Sequence, residues 1–169
     1  MRKLDTFVRI GAGMALVLSI AAWYVQPSTH AVNKSSPPAR AYYLTKTGTD
    51  GAHALSMCAT GYHMASLWDI HEPAVLKYDT SLGMTFDDSG SGPPTGGVFG
   101  WIRTGSPDSQ DPLAGLANCH TWTTSDPNGY GSTATPAVNW EDLTPYPTSP
   151  WRTFRFSCAS TLPVWCVQD

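Results

Sequence analysis

The sequence predicts a small α+β domain, rich in loops and closed by disulfides, behind a short export segment. Three observations carry that expectation. Fifteen glycines and fourteen prolines accompany a charged fraction of only 14%, so much of the chain is turn and loop. Seven Trp and seven Tyr supply a core without much helix, because each aromatic side chain buries a large area. All four cysteines, at 58, 119, 158 and 166, fall beyond the export segment, and an even count there reads as two disulfides.

The front of the chain is laid out as a secretory signal. Residues 1–9, MRKLDTFVR, are basic, residues 10–25 are apolar or small, and Thr29-His30-Ala31 forms a small-x-small site. Cleavage after Ala31 is expected, making residues 1–31 a signal peptide. The alternative is an uncleaved anchor, with Trp23 and Tyr24 at the membrane interface, although the apolar run is shorter than the roughly 20 residues a spanning helix needs. Residues 32–41, polar and Pro-rich, read as a linker, and residues 42–169 as the domain. The expected location is secreted, extracytoplasmic or on the cell surface.

Along the domain, "AYYLTK" has strand composition. Asp50, with Thr49, is placed to cap a short helix reaching about Cys58, with Gly61 as its stop. Ser66 and Asp69 form a weak capping box for a second helix that Pro73 limits or restarts. "DDSGSGPPTGG" is a loop, "VFGWIRTG" a buried strand and "NCHTWTT" another strand. Residues 125–150 show little periodicity and read as one long loop. "WRTFRFSCAS" and "LPVWCVQ" then read as two strands joined by a short turn. None of the cysteine spacings is C-x-x-C, so a zinc ribbon or thioredoxin-like motif is not supported, and four cysteines leave three disulfide connectivities open.

In this order, the helix with Cys58, the strand "GWIRTG", the strand with Cys119, the long loop and the closing pair with Cys158 and Cys166 resemble the C-type lectin-like fold, in particular its endostatin-like branch and an exported bacterial type. "WIRTG" stands where that family has its WIGL-type core strand, and "CHTWTT" is similar to the cysteine–tryptophan strand of endostatin. The resemblance implies small mixed sheets with two short helices, long loops and nested disulfides, Cys58 with Cys166 and Cys119 with Cys158. It also implies a first and last strand lying side by side.

Charge narrows the partners. Residues 1–41 carry net +4, whereas residues 42–169 carry five Lys/Arg against twelve Asp/Glu, net −7. Such a domain repels phosphate backbones, so nucleic acid is excluded as a partner. Calcium-dependent lectins of this fold use EPN or QPD and WND motifs. Asp126-Pro127-Asn128 and Trp140-Glu141-Asp142 imitate these in part, which makes Asp126, Asn128, Glu141 and Asp142 the candidate calcium ligands. Asp126-Pro127-Asn128-Gly129 is equally a turn sequence, and the expected set includes no obligatory metal or cofactor.

His63, His71 and His120 lack zinc spacing, no G-x-S-x-G or H-E-x-x-H motif is present, and adjacent Glu141 and Asp142 would face opposite ways on a strand. The expectation is therefore a binding module rather than an enzyme. Its candidate ligand surface is Trp122, Asp126, Asn128, Tyr130, Trp140, Glu141, Asp142 and Tyr146, with Trp122 and Trp151 equally readable as core. A surface glycan or an extracellular protein is the expected ligand. A structural or adhesive subunit that associates with itself or another surface protein is the first alternative, and a small extracytoplasmic enzyme the second. The membrane enters only through the N-terminal segment, if it is uncleaved.

Overall fold

Strand-forming aromatic and β-branched segments assemble into two small sheets, seen in a computed structural model that describes residues 38–86, 89–94, 97–104, 117–137 and 150–169. These belong to a unit spanning Pro37–Asp169. The expected signal or anchor, residues 1–31, lies outside the described residues. The first sheet has the order β2-β7-β1-β3, with β1 Arg40–Leu44, β2 Tyr62–Met64, β3 Leu76–Tyr78 and β7 Trp165–Gln168. The second is β4-β5-β6, with β4 Gly100–Trp101, β5 Tyr130–Pro136 and β6 Trp151–Ser157. The domain is mixed α+β, with short helical segments and two disulfides.

β1 sits centrally, and its sequence fits that place. It pairs antiparallel with β7 (Tyr43 opposite Cys166) and parallel with β3 (Ala41 opposite Lys77). Side chains on both its faces are buried as well, which fits the unbroken apolar run Tyr42-Tyr43-Leu44. Tyr42 packs among Tyr78, Trp165 and Trp151, while Tyr43 meets Tyr62 edge-on and accepts a 2.7 Å bond from the Ala59 amide. The strand begins at Arg40, so Arg40 and Ala41 are strand rather than linker. The last strand does lie beside the first.

Asp50 caps a helix as its position suggests, accepting from the His53 amide, but the helix is 3-10 and spans only Gly51–Ser56. Gly51 is required there because a Cβ would collide with the Cys119 sulfur. Ser66 and Asp69 do bond reciprocally: the Ser66 amide and hydroxyl reach Asp69 Oδ2 at 2.8 and 2.6 Å, and the Asp69 amide returns to Ser66 Oγ at 3.3 Å. They close a turn, not a helix. The helical piece that follows is Pro73–Val75, opened by its proline.

"WIRTG" is buried as expected, with Trp101 and Ile102 fully enclosed, yet only Gly100–Trp101 is regular strand. The segment is the seam between the sheets: Trp101 donates to Pro163, Ile102 to Ser132 and Arg103 to Ala65. Two expectations are corrected here. β6 and β7 form but do not pair with each other. The chain between them is drawn away by paired backbone bonds between Thr49 and Leu162 (2.8 and 3.0 Å) and by the Val164 amide on Thr45 Oγ1. "NCHTWTT" is not a strand either. Cys119–Trp122 coils as one left-handed turn, with φ of 49°, 51°, 62° and 63° in four non-glycine residues.

That turn is held from all sides. The Asn118 side chain bonds both the amide and carbonyl of Thr104, Trp122 packs edge-on to Trp101 at 5.7 Å, and Cys119 is bound to Cys158. The disulfides are nested, Cys58–Cys166 spanning 108 residues and Cys119–Cys158 spanning 39. In the chain-entropy account, loops of these sizes are worth about 4–5 and about 4 kcal/mol. The larger one staples the segment after the 3-10 helix to β7, tying down a C-terminal tail that would otherwise fray.

Candidate functional site

Residues 125–150 are not one loop. β5 runs through them from Tyr130 and is the middle strand of its sheet, paired with β6 over seven positions from Tyr130–Ser157 to Pro136–Trp151. Its small residues allow close approach on both faces. A Cβ on Gly131 would lie 2.6 Å from the Cys119 sulfur, and the Ala134 carbonyl accepts the Trp165 indole N–H at 2.9 Å. What remains loop ahead of β5 is the turn Asp126–Gly129.

This turn is built by its own side chains. Asp126 Oδ1 accepts from the Asn128 amide at 2.9 Å and from Asn128 Nδ2 at 3.2 Å, while the Asp126 amide bonds Thr124 Oγ1. Ser157 Oγ donates to the Pro127 carbonyl and the Cys158 amide to Gly129, so the turn is pinned onto the end of β6 beside the inner disulfide. Half of the candidate calcium chemistry is thus committed to holding the turn, leaving Asp126 Oδ2 and the Asn128 carbonyl oxygen. Among the described residues no group of three His, Cys, Asp or Glu side chains is arranged to hold a metal ion.

Tyr130 leaves this turn half-buried, and the Arg155 guanidinium lies 4.7 Å from the centre of its ring. A cation at that distance from an aromatic face is held by about 0.5–1 kcal/mol at an exposed site. Arg155 carried no signal of its own in the sequence, where "WRTFRFS" reads only as part of a strand. Trp122, by contrast, is 5% exposed and packs on Trp101, so it belongs to the core, as does Trp151, whose indole donates to the Ile70 carbonyl. Trp140, Glu141, Asp142 and Tyr146 lie outside the described residues. The structure therefore brings together Asp126, Asn128 and Tyr130 of the expected surface and adds Arg155.

A second polar constellation sits at the end of the first sheet. His63 Nδ1 is 2.6 Å from Asp169, its Nε2 is 3.7 Å from Asp69, and Arg40 reaches both Asp69 and the Gln168 carbonyl. The residue types are those of a Ser-His-Asp site, but the Ser66 hydroxyl donates to Asp69 and so is not activated by the imidazole. Burial alone would raise the Asp69 carboxyl. The Ser66 hydroxyl and amide, with His63 and Arg40 alongside, outweigh it and hold the group below the usual range. The arrangement clamps the C-terminal strand.

Compared with known proteins, the chain matches no family model, no curated protein and no solved structure. The two disulfides by themselves point to an oxidising or extracellular setting. Among the described residues no helix is long and apolar enough to cross a membrane.

Proposed function

We propose that this chain is an exported binding module with a C-type lectin-like fold, recognising a surface glycan or an extracellular protein at the turn that opens β5. The observation that carries the reading is the Tyr130–Arg155 stack beside the Asp126–Gly129 turn. An amphipathic ring with a guanidinium over it offers an apolar contact next to a positive charge, and the turn beneath is pinned before any ligand arrives. Loops carried on such a rigid scaffold are where binding function concentrates. Trp140, Glu141, Asp142 and Tyr146 are assigned to the same surface from the sequence.

Tyr130→Ala and Arg155→Ala should each weaken binding, by about 2 kcal/mol or more if the pair is a hot spot, while leaving the melting transition nearly unchanged. The measurement is glycan-array and surface-protein binding with and without EDTA. Ligand capture untouched by both substitutions removes this site. EDTA insensitivity removes calcium and leaves the aromatic surface standing.

A structural or adhesive role is the second reading. It is favoured by the outer face of β6, where Phe154, 50% exposed, packs against Phe99 at 5.2 Å under the Arg152 guanidinium. Such a patch suits a protein neighbour better than a sugar. Concentration-dependent association of the full chain, lost in Phe154→Ser, would favour this reading.

A further inference from the structure

β3 is the outermost strand of the first sheet, and a cleft of ≈340 Å3 lies along it, lined by Ala41, Lys77, Tyr78, Asp79, Thr80 and Ser81. The size is within the range of small-molecule sites. Ala41 and Lys77 are register partners across β1 and β3, which puts their side chains on one face, and Asp79, just past the end of β3, lines the same cleft. The cleft is thus apolar at its base, with a cation and an anion at its rim.

The two charges are differently prepared. Asp79 Oδ1 is fully engaged, accepting from the Ser81 amide and hydroxyl at 3.0 and 2.6 Å and from the Leu82 amide at 3.2 Å. These bonds orient the carboxylate. Among the described residues Oδ2 accepts only the Tyr62 hydroxyl, at a long 3.4 Å, and keeps acceptor capacity in hand. Lys77 is exposed and makes no ion pair among the described residues, not even with Asp79. Among the described residues neither charge makes an ion pair, and both line the cleft.

We infer that this cleft is a second binding site, for a small zwitterion of the α-amino-acid class. Its ammonium would donate to Asp79 Oδ2 and its carboxylate would accept from the Lys77 ammonium, with Thr80 and Ser81 hydroxyls beside them. Charge decides between ligand classes. A free anion would meet Asp79 and the net −7 of residues 42–169, and a free cation would meet Lys77. A neutral diol could bond both groups, but it lacks the coulombic attraction that an opposite formal charge adds at each end. The site shares no residue with the Tyr130–Arg155 surface and does not rest on that reading.

The test uses the full chain with L-serine as probe, followed by the amide resonances of residues 77–81. Serine methyl ester lacks the carboxylate, and N-acetylserine lacks the ammonium. Serine should bind better than either by about two- to fivefold, the worth of one solvent-exposed ion pair. Lys77→Gln should remove the preference for serine over its methyl ester, both by weakening serine and by relieving the repulsion of the cationic ester. Lys77 is exposed, so the variant is expected to fold, and an unchanged melting transition confirms that it does. Tyr130→Ala should leave serine binding intact. Absence of shifts at residues 77–81 up to the solubility limit of serine overturns the inference. So does equal binding of serine and its methyl ester, or stronger binding of methyl glucoside than of serine.

Discussion

Thr121 is the residue under most obvious strain, a β-branched side chain at φ 62° on an exposed turn. Left-handed backbone costs a non-glycine residue roughly 1–2 kcal/mol, and glycine escapes that cost. Thr121→Gly is therefore expected to raise stability by about 1 kcal/mol despite losing the Thr121 hydroxyl bond to the His120 carbonyl, read as a higher denaturant midpoint at unchanged slope. An unchanged or lower midpoint would show that the surroundings, not the backbone, set the conformation. Tyr42 and Tyr78 make a second prediction. Burial is the main cause that raises both hydroxyls to about 12; Tyr78 contributes to the rise in Tyr42, and in Tyr78 the bond from the Leu44 amide only partly opposes it. The folded state then holds these protons where the unfolded chain, at pKa 10, releases them. Stability should be constant with respect to these groups below pH 10 and fall between pH 10 and about 12. An alkaline titration should show two tyrosines ionising only as the fold is lost.

Among the elements, the Ser66–Asp69 turn and β5 show how local signals are read and overridden. Asp69→Ala removes the acceptor for both the Ser66 amide and hydroxyl, and for Arg40, and should cost about 1–2 kcal/mol, the upper part of the range for a lost cap. Because the Asp69 carboxyl is held below its usual value, its contribution is present above the unfolded pKa and disappears as pH falls through the folded one. The variant should therefore lose less stability than the parent between neutral pH and strong acid, measured by urea unfolding across that range. β5 tests packing. Ala134 is fully buried and its carbonyl carries the Trp165 indole bond, so Ala134→Leu should destabilise by about 1–3 kcal/mol through overpacking, seen as a lowered thermal midpoint. The sequence could not announce this strand. Gly131 and Pro136 are strand breakers by type; Gly131 is used because the Cys119 sulfur and Trp101 leave no room for a Cβ, and Pro136 stands at the end of the strand, opposite Trp151.

For the molecule as a whole, closure is the dominant theme: the two ends of the domain meet in adjacent central strands and the outer disulfide locks them. Peptide mapping without reductant should recover Cys58 with Cys166 and Cys119 with Cys158. Replacing Cys58 and Cys166 together by alanine should cost about 2–5 kcal/mol, at least as much as replacing Cys119 and Cys158, because the larger loop restrains the unfolded chain more. Equal midpoints for the parent and the Cys58/Cys166 variant in urea would mean that β-pairing alone closes the domain.

Composition, cysteine number and aromatic runs determined, without any tertiary information, a loop-rich disulfide-closed α+β architecture with β1, β6 and β7 as strands. These features are local or additive: an apolar alternating run makes a strand, and an oxidised cysteine pair closes a loop, whatever else the chain does. The Asp50 cap, the Ser66–Asp69 box and the Asp126–Asn128 turn were legible for the same reason, since each is a bond between neighbours in sequence. Only the tertiary structure decided that β6 and β7 separate into different sheets, that Cys119–Trp122 coils left-handed, and that Tyr130 opens a central strand under Arg155. Each depends on partners dozens of residues away. Burying Trp101 and Trp165 between the sheets outweighs the local preferences those segments carry.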